Sequence, residues 1–150
     1  MHSLCTCSKL RQLTRKVTAI YDHYLASQEV SIGQYALLAK IGRIGPIGVI
    51  PLAQLLDMDR STLSRNLKPL IAIGWIATVD LPLAQLVSKR SFGVVLTATG
   101  ESKRAACEPR WHAAQAHIIA LMGEAQHLQL AEVIGSANSQ LDAFTGIVHE

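Results

Sequence analysis

Two groups of side chains in this 150-residue chain could do chemistry. The first lies in the run that starts at Asp59. At helical spacing Leu63, Leu67, Leu70 and Ile71 share one face. Arg60, Ser61, Ser64, Arg65 and Lys68 share the opposite face, with Thr62 and Asn66 at its edges, and no carboxylate follows Asp59 there. Long cations among short hydroxyls suit the major groove of a duplex. Small side chains let a helix approach base edges, arginine can grip guanine through two hydrogen bonds, and lysine and hydroxyls can hold phosphates. The plain alternative is an amphipathic helix with a solvated polar face.

The second group is Cys5, Cys7 and Cys107. An odd number of cysteines is no disulfide framework, and in a reducing compartment all three are thiols. A Cys-x-Cys pair can offer two soft thiolates to a metal or to arsenite, or form a disulfide with a third thiol. The start of a helix favours the thiolate, and Lys9 and Arg11 add to that. Simple packing of small apolar side chains is the competing reading. His2, His23, His112, His117 and His127 lack dense metal-ligand spacing, so neither a metal site nor a cofactor is expected.

The surrounding chain must position these groups. Leu10, Leu13, Val17, Ile20 and Tyr24 predict a helix over about Ser8 to Ser27, and Ser31 caps a second that ends at Ile44. Ile44 to Ile50 is expected as a loop or short extended piece. Pro51, Leu52, Leu55 and Leu56 open a short helix, Asp57-Met58 turns, and Asp59 caps a helix that ends near Gly74. That is a helix-turn-helix. Trp75 to Val79 and Phe92 to Thr97 read as strands, and the Pro-containing loop between them is a candidate wing.

Two long helices follow, about Thr99 to Met122 and Gln126 to Ile147. Pro109 should kink or break the first. Leu130, Ile134, Ala137, Leu141, Phe144 and Val148 form a heptad-like seam on the second. The fold class is therefore mainly α with a small β wing: one domain over 1–150, with a winged helix-turn-helix over about 31–98 and dimerisation helices over about 1–30 and 99–150.

Charge and hydropathy fit that division. Residues 1–90 carry 11 Lys/Arg against 5 Asp/Glu, and residues 91–150 carry 3 against 6, so a polyanion would be met by the first part. Only 17% of residues are charged while 49% are apolar, which implies apolar surface hidden in an oligomer. No run is apolar enough to span a bilayer and the first residues lack a signal-peptide pattern, so a cytoplasmic, non-membrane protein is expected.

At Leu52-Ala-Gln-Leu-Leu, Met58-Asp-Arg-Ser-Thr-Leu-Ser-Arg, Leu70, Gly74-Trp-Ile and Leu96-Thr-x-x-Gly100 the chain resembles the multiple-antibiotic-resistance regulator (MarR) family of winged helix-turn-helix proteins. Arg15-x-Val-Thr, Tyr21-Asp, Leu25-Ala and Gln34-Tyr-Ala-Leu-Leu also fit. The resemblance implies a homodimeric transcriptional regulator, not an enzyme, that binds a pseudo-palindromic operator in double-stranded DNA. It implies a repressor released by an effector. It also implies Arg60, Ser61, Thr62, Ser64, Arg65 and Lys68 as DNA contacts, with Lys89 and Arg90 on the wing.

Members usually carry Asp-x-Arg near the wing tip, with the arginine in the minor groove. Here Arg90 falls at the arginine position, but Ser88 replaces the aspartate, the connection is about four residues longer, and its tip, Leu81 to Val87, is apolar.

In the organic hydroperoxide regulators, a branch of this family, a reactive cysteine precedes a tyrosine by fourteen residues. Cys7 and Tyr21 keep that spacing, although Arg11 stands where the branch has another tyrosine. Cys5, Cys7, Tyr21 and Cys107 are thus candidate sensor residues. Family members also bind small aromatic acids between the dimerisation helices and the DNA-binding lobe, where Arg15, Lys16 or Arg43 could meet a carboxylate. A soft-metal or arsenite sensor using Cys5 and Cys7, with Cys107 as a further ligand, and a thiol peroxidase using Cys7 stand as alternatives.

Overall fold

The computed structural model describes residues 5–148, with side chains to residue 144. Helix α1 (Thr6–Leu25) passes through a 3-10 turn at Ala26–Gln28 and reverses at Glu29, whose φ of 55° is left-handed. Helix α2 (Ile32–Ile44) starts in a full capping box: the Ser31 hydroxyl accepts from the Gln34 amide, and the Gln34 side chain accepts from the Ser31 amide. Asp22 of α1 accepts from the Ile32 amide at 2.7 Å, joining the two helices at this corner.

Strand β1 (Ile47–Gly48) leads into α3 (Val49–Leu55), and α4 (Arg60–Ile73) follows a four-residue turn. Strands β2 (Ile76–Val79) and β3 (Gly93–Leu96) flank a short helix, α5 (Leu83–Leu86). Two 25-residue helices, α6 (Ala98–Met122) and α7 (Glu124–Val148), complete the chain. The sheet order is β1-β3-β2, antiparallel throughout, with Ile47 opposite Val94, Ile76 opposite Leu96 and Val79 opposite Gly93. This is the expected mainly α fold with a small β wing.

One core joins α2, α3, α4 and the sheet. Leu38, Ile41, Val49, Leu52, Leu63, Leu67, Leu70, Ile76 and Val94 are buried together in it. A smaller cluster of Leu25, Val30, Tyr35 and Cys107 lies where α1, α2 and α6 meet. The two are linked at the start of α6. Thr97 caps α6, and its hydroxyl also donates to the Gly74 and Trp75 carbonyls at 2.7 and 3.1 Å. Thr99 donates to the same Gly74 carbonyl at 2.9 Å. The end of α4 is thereby fastened to the first turn of α6. Lys103 strengthens the joint, donating to the Gln28 carbonyl at 3.1 Å with its ammonium 5.3 Å from the Trp75 ring centre.

Three details differ from expectation. The extended piece after Ile44 is as expected and pairs as β1, but α3 already begins at Val49, before Pro51, and the loop tip forms α5, a one-turn helix too short for periodicity to show. Helix α6 runs through Pro109 without a break. Pro109 is exposed, so the carbonyl that loses its partner there can take water instead. A second interior proline, Pro69 in α4, is tolerated in the same exposed way.

On α7, Leu128, Val133, Leu141 and Phe144 are each more than 60% exposed. Of the seam, Leu130 is partly buried and Ile134 lies with it against Leu10, Leu13 and Met122, while Ala137, Leu141 and Phe144 are exposed and the Val148 side chain lies outside the described residues.

Candidate nucleic-acid interface

Asp59 sets the start of α4. Its carboxylate accepts from the Thr62 amide at 2.8 Å and from the Ser61 and Thr62 hydroxyls at 2.6 Å each. The Ser61 bond, followed by those from Thr62, holds the carboxyl well below the usual carboxylate range. Leu63, Leu67 and Leu70 fix the helix from below. Arg60, Ser61, Arg65 and Lys68 are exposed on the opposite side, with Thr62 and Ser64 half-buried between them.

Within this face the residues have different freedom. Ser61 and Thr62 give their hydroxyl protons to the cap, and Thr62 also accepts from the Arg65 guanidinium at 3.2 Å. Arg65 is thus pre-oriented by a neighbour yet open to solvent. Arg60 donates to the Arg90 carbonyl at 3.3 Å, a link across thirty positions that sequence spacing does not reveal.

The wing is compact. Its connecting segment folds into α5, which packs on α3 and β1. Gly48 is the seat: a Cβ there would meet the Gln85 carbonyl oxygen at 2.3 Å. Val87, with φ of 68°, turns the chain out of α5. Ser88 then accepts from the Arg90 amide at 3.3 Å. The hydroxyl at the family's aspartate position thus orders the turn that carries Lys89 and Arg90, both exposed.

The thiols do not converge within one chain. Cys5 and Cys7 are exposed at the start of α1. Cys107 is buried beside Leu25, eighteen residues along α1 from Cys7, a span of about 27 Å at helical rise. Burial raises its thiol pKa. A three-thiol site within one chain is therefore ruled out by geometry, and among the described residues no group of three His, Cys, Asp or Glu side chains could hold a metal ion.

Tyr21 lies about 21 Å along the same helix from Cys7. Its hydroxyl donates to the Gln115 side-chain oxygen, and its ring stacks on Trp111 at 6.4 Å. Burial raises its pKa. The Gln115 amide nitrogen lies 3.1 Å from His127 Nε2, so Gln115 links α1 to α7. His117 pairs with the Tyr24 hydroxyl at 3.0 Å, and His112 meets the edge of Trp111. These histidines serve packing and hydrogen bonding.

A cleft of about 510 Å³ opens between α2 and α6, lined by Tyr35, Lys40, Arg43, Glu101, Arg104 and Glu108. Arg104 is already paired with Glu101 at 2.7 Å and Glu108 at 3.2 Å. Lys40 and Arg43 are the other cations in the lining. Of the three residues considered for an acid ligand, Arg43 lies in this cleft, whereas Arg15 and Lys16 are exposed on α1.

Comparison with known proteins agrees with the resemblance read from the sequence. The MarR family model matches residues 30–82, the stretch from α2 through α4 to the start of the wing. The chain shares the winged-helix fold of a cysteine-to-serine mutant of MarR from E. coli complexed with operator DNA. That match has a TM-score of 0.76 and 19% identity, covering 87% of this chain and 91% of that one. The M. tuberculosis transcriptional regulator MosR in complex with DNA matches with a TM-score of 0.73 and 24% identity, over 90% and 97%. The transcriptional repressor CouR bound to a 23-mer DNA duplex matches with a TM-score of 0.77 and 17% identity, over 91% and 94%. No curated protein sequence matches the chain. Among the described residues no helix is long and apolar enough to cross a membrane.

Proposed function

From a MarR-family segment set on a winged-helix fold, we propose that this chain is a DNA-binding transcriptional regulator, not an enzyme. The observation that carries the reading is the exposed face of α4, where Arg65, held by Thr62, and Lys68 face solvent above a helix pinned by buried leucines. Arg65 reads a base edge, and Lys68, Ser64, Lys89 and Arg90 hold the duplex. Ser61 and Thr62 contact DNA through oxygens that already serve the cap, and Arg60 contributes from the junction with the wing.

The working form is a homodimer on a pseudo-palindromic operator. Residues 31–98 form the reader, and the helices of 1–30 and 99–150 form the dimer. The exposed apolar residues of α7 and Leu10 of α1 support this, because a second copy would cover them. The regulator acts as a cytoplasmic repressor, and a small acid in the Arg43 cleft or oxidation of Cys7 releases it. Sulfenic acid formed at Cys7 by a peroxide would be captured by a second thiol as a disulfide, with loss of water. Cys107, buried and distant from Cys7, is not that thiol.

A second reading is favoured by the joint exposure of Cys5 and Cys7: soft-metal or arsenite capture by this pair. Selection of duplexes from a randomised pool, followed by footprinting with and without peroxide or arsenite, tests both. A palindromic footprint lost on oxidation is the expected result. Absence of any selected sequence would refute the regulator.

A further inference from the structure

We propose that the wing of this chain is a phosphate clamp built with Arg60, not a finger that reads the minor groove. The inference rests on the DNA-binding reading above and concerns how the wing contributes to it.

The paired part of β2 and β3 ends at Val79 opposite Gly93, and no strand pairing extends outward beyond it. The segment that follows folds back. Helix α5 lies on β1 and α3, over Gly48, so close that a Cβ there would also meet Leu86 Cα at 3.2 Å. Leu81 covers Gly93 in the same manner, with its side chain 2.5 Å from where a Cβ would stand. Leu81 and Leu86 are thus partly buried in docking the wing, while Leu83 and Val87 stay exposed.

The chain then turns at Ser88, with the Ser91 amide donating to the Ser88 carbonyl at 3.0 Å and the Arg90 amide to the Ser88 hydroxyl at 3.3 Å. This turn is tied to Arg60, the first residue of α4, through the Arg90 carbonyl. If α4 occupies a major groove, the next minor groove lies about half a helical turn away, roughly 17 Å along the duplex. A turn bonded to the first residue of α4 stands between the two grooves, over the phosphate ridge. Arg60, Lys89 and Arg90 bring three cations to that ridge, and the bond to Arg90 draws the Arg60 guanidinium away from base edges. Phosphates are the same for every sequence, so the wing adds affinity without selecting bases.

The test uses the full chain and a duplex selected from a randomised pool. The base pairs flanking each half-site are made inosine·cytosine in one version and guanine·cytosine in another, which differ only by an amino group in the minor groove. The expected result is that the two versions bind within about twofold of each other. Arg60→Met, Lys89→Ala and Arg90→Ala each weaken every duplex by the same factor and lower the salt slope by about one. A tenfold or greater preference for the inosine version, lost in Arg90→Ala, would overturn the clamp and leave the DNA-binding reading standing. Absence of any salt-dependent complex with the selected duplex would overturn both.

Discussion

Replacing Gly100 by alanine sets two effects of opposite sign against each other. Gly100 lies in the first turn of α6, where alanine gains at most about 1 kcal/mol of helix propensity over glycine. A Cβ at this position would stand 2.0 Å from the Trp75 carbonyl oxygen and 2.8 Å from Leu96 Cδ1. The oxygen is backbone, so it cannot swing aside, and α6 must move by about 1 Å to reach even a tight contact. Three donor protons cross that interface: the Thr97 amide to Trp75 at 3.0 Å, the Thr97 hydroxyl shared between Gly74 and Trp75, and the Thr99 hydroxyl to Gly74. Each contributes roughly 0.5–1.5 kcal/mol net, and because they share two carbonyls their joint loss is about 2–4 kcal/mol. Sterics therefore win, with a net destabilisation of about 1–3 kcal/mol after the propensity gain. For a chain of this size that lowers Tm by roughly 3–10 °C. Thermal unfolding followed by circular dichroism, on both proteins at one concentration, reads the difference. A Gly100→Ala protein as stable as the parent, or more so, would refute the argument that this contact is rigid.

Other perturbations address the reader and its control. Arg65→Ala should weaken specific DNA binding by about 1–3 kcal/mol in a salt-controlled titration; unchanged affinity would remove Arg65 from base reading. Cys7→Ser should abolish peroxide-induced release from DNA, whereas release at the parental peroxide dose would show that Cys7 is not the sensor. Asp59 has a depressed carboxyl pKa, so its cap is intact at neutral pH and is lost only as pH falls through that lowered value. An NMR titration of the Asp59 carboxyl carbon should therefore show a midpoint well below the ordinary value of about 3.9; an ordinary midpoint would mean that the Ser61 and Thr62 bonds do not form in solution.

Much of the reader is legible in sequence because its determinants are local. Asp59 and Gly74 bound α4 through caps that involve residues within a few positions of them, and Leu63, Leu67 and Leu70 show their burial by spacing alone. The wing's shape is not local. The seat at Gly48 depends on Gln85, and the bond from Arg60 depends on Arg90, thirty positions apart. The apolar run Leu81-Pro-Leu-Ala-Gln-Leu was nonetheless a signal, since leucines in a connection need a surface to cover. The position of Tyr21 is likewise settled by Gln115, ninety-four residues on, and so its fourteen-residue spacing from Cys7 says nothing of its surroundings.

The fastening of α4 to the first turn of α6 makes a lever of the longer helix. Twenty-five residues at helical rise give a rod of about 37 Å. A swing of about 5° at its far end, near Gly123, would carry the attached end of α4 through about 3 Å, close to the 3.4 Å step of one base along a strand. If two copies read paired half-sites as proposed, a change at the α6–α7 corner, transmitted along α6 past its buried Cys107, Ala114 and Ile118, would shift each α4 by about one base step.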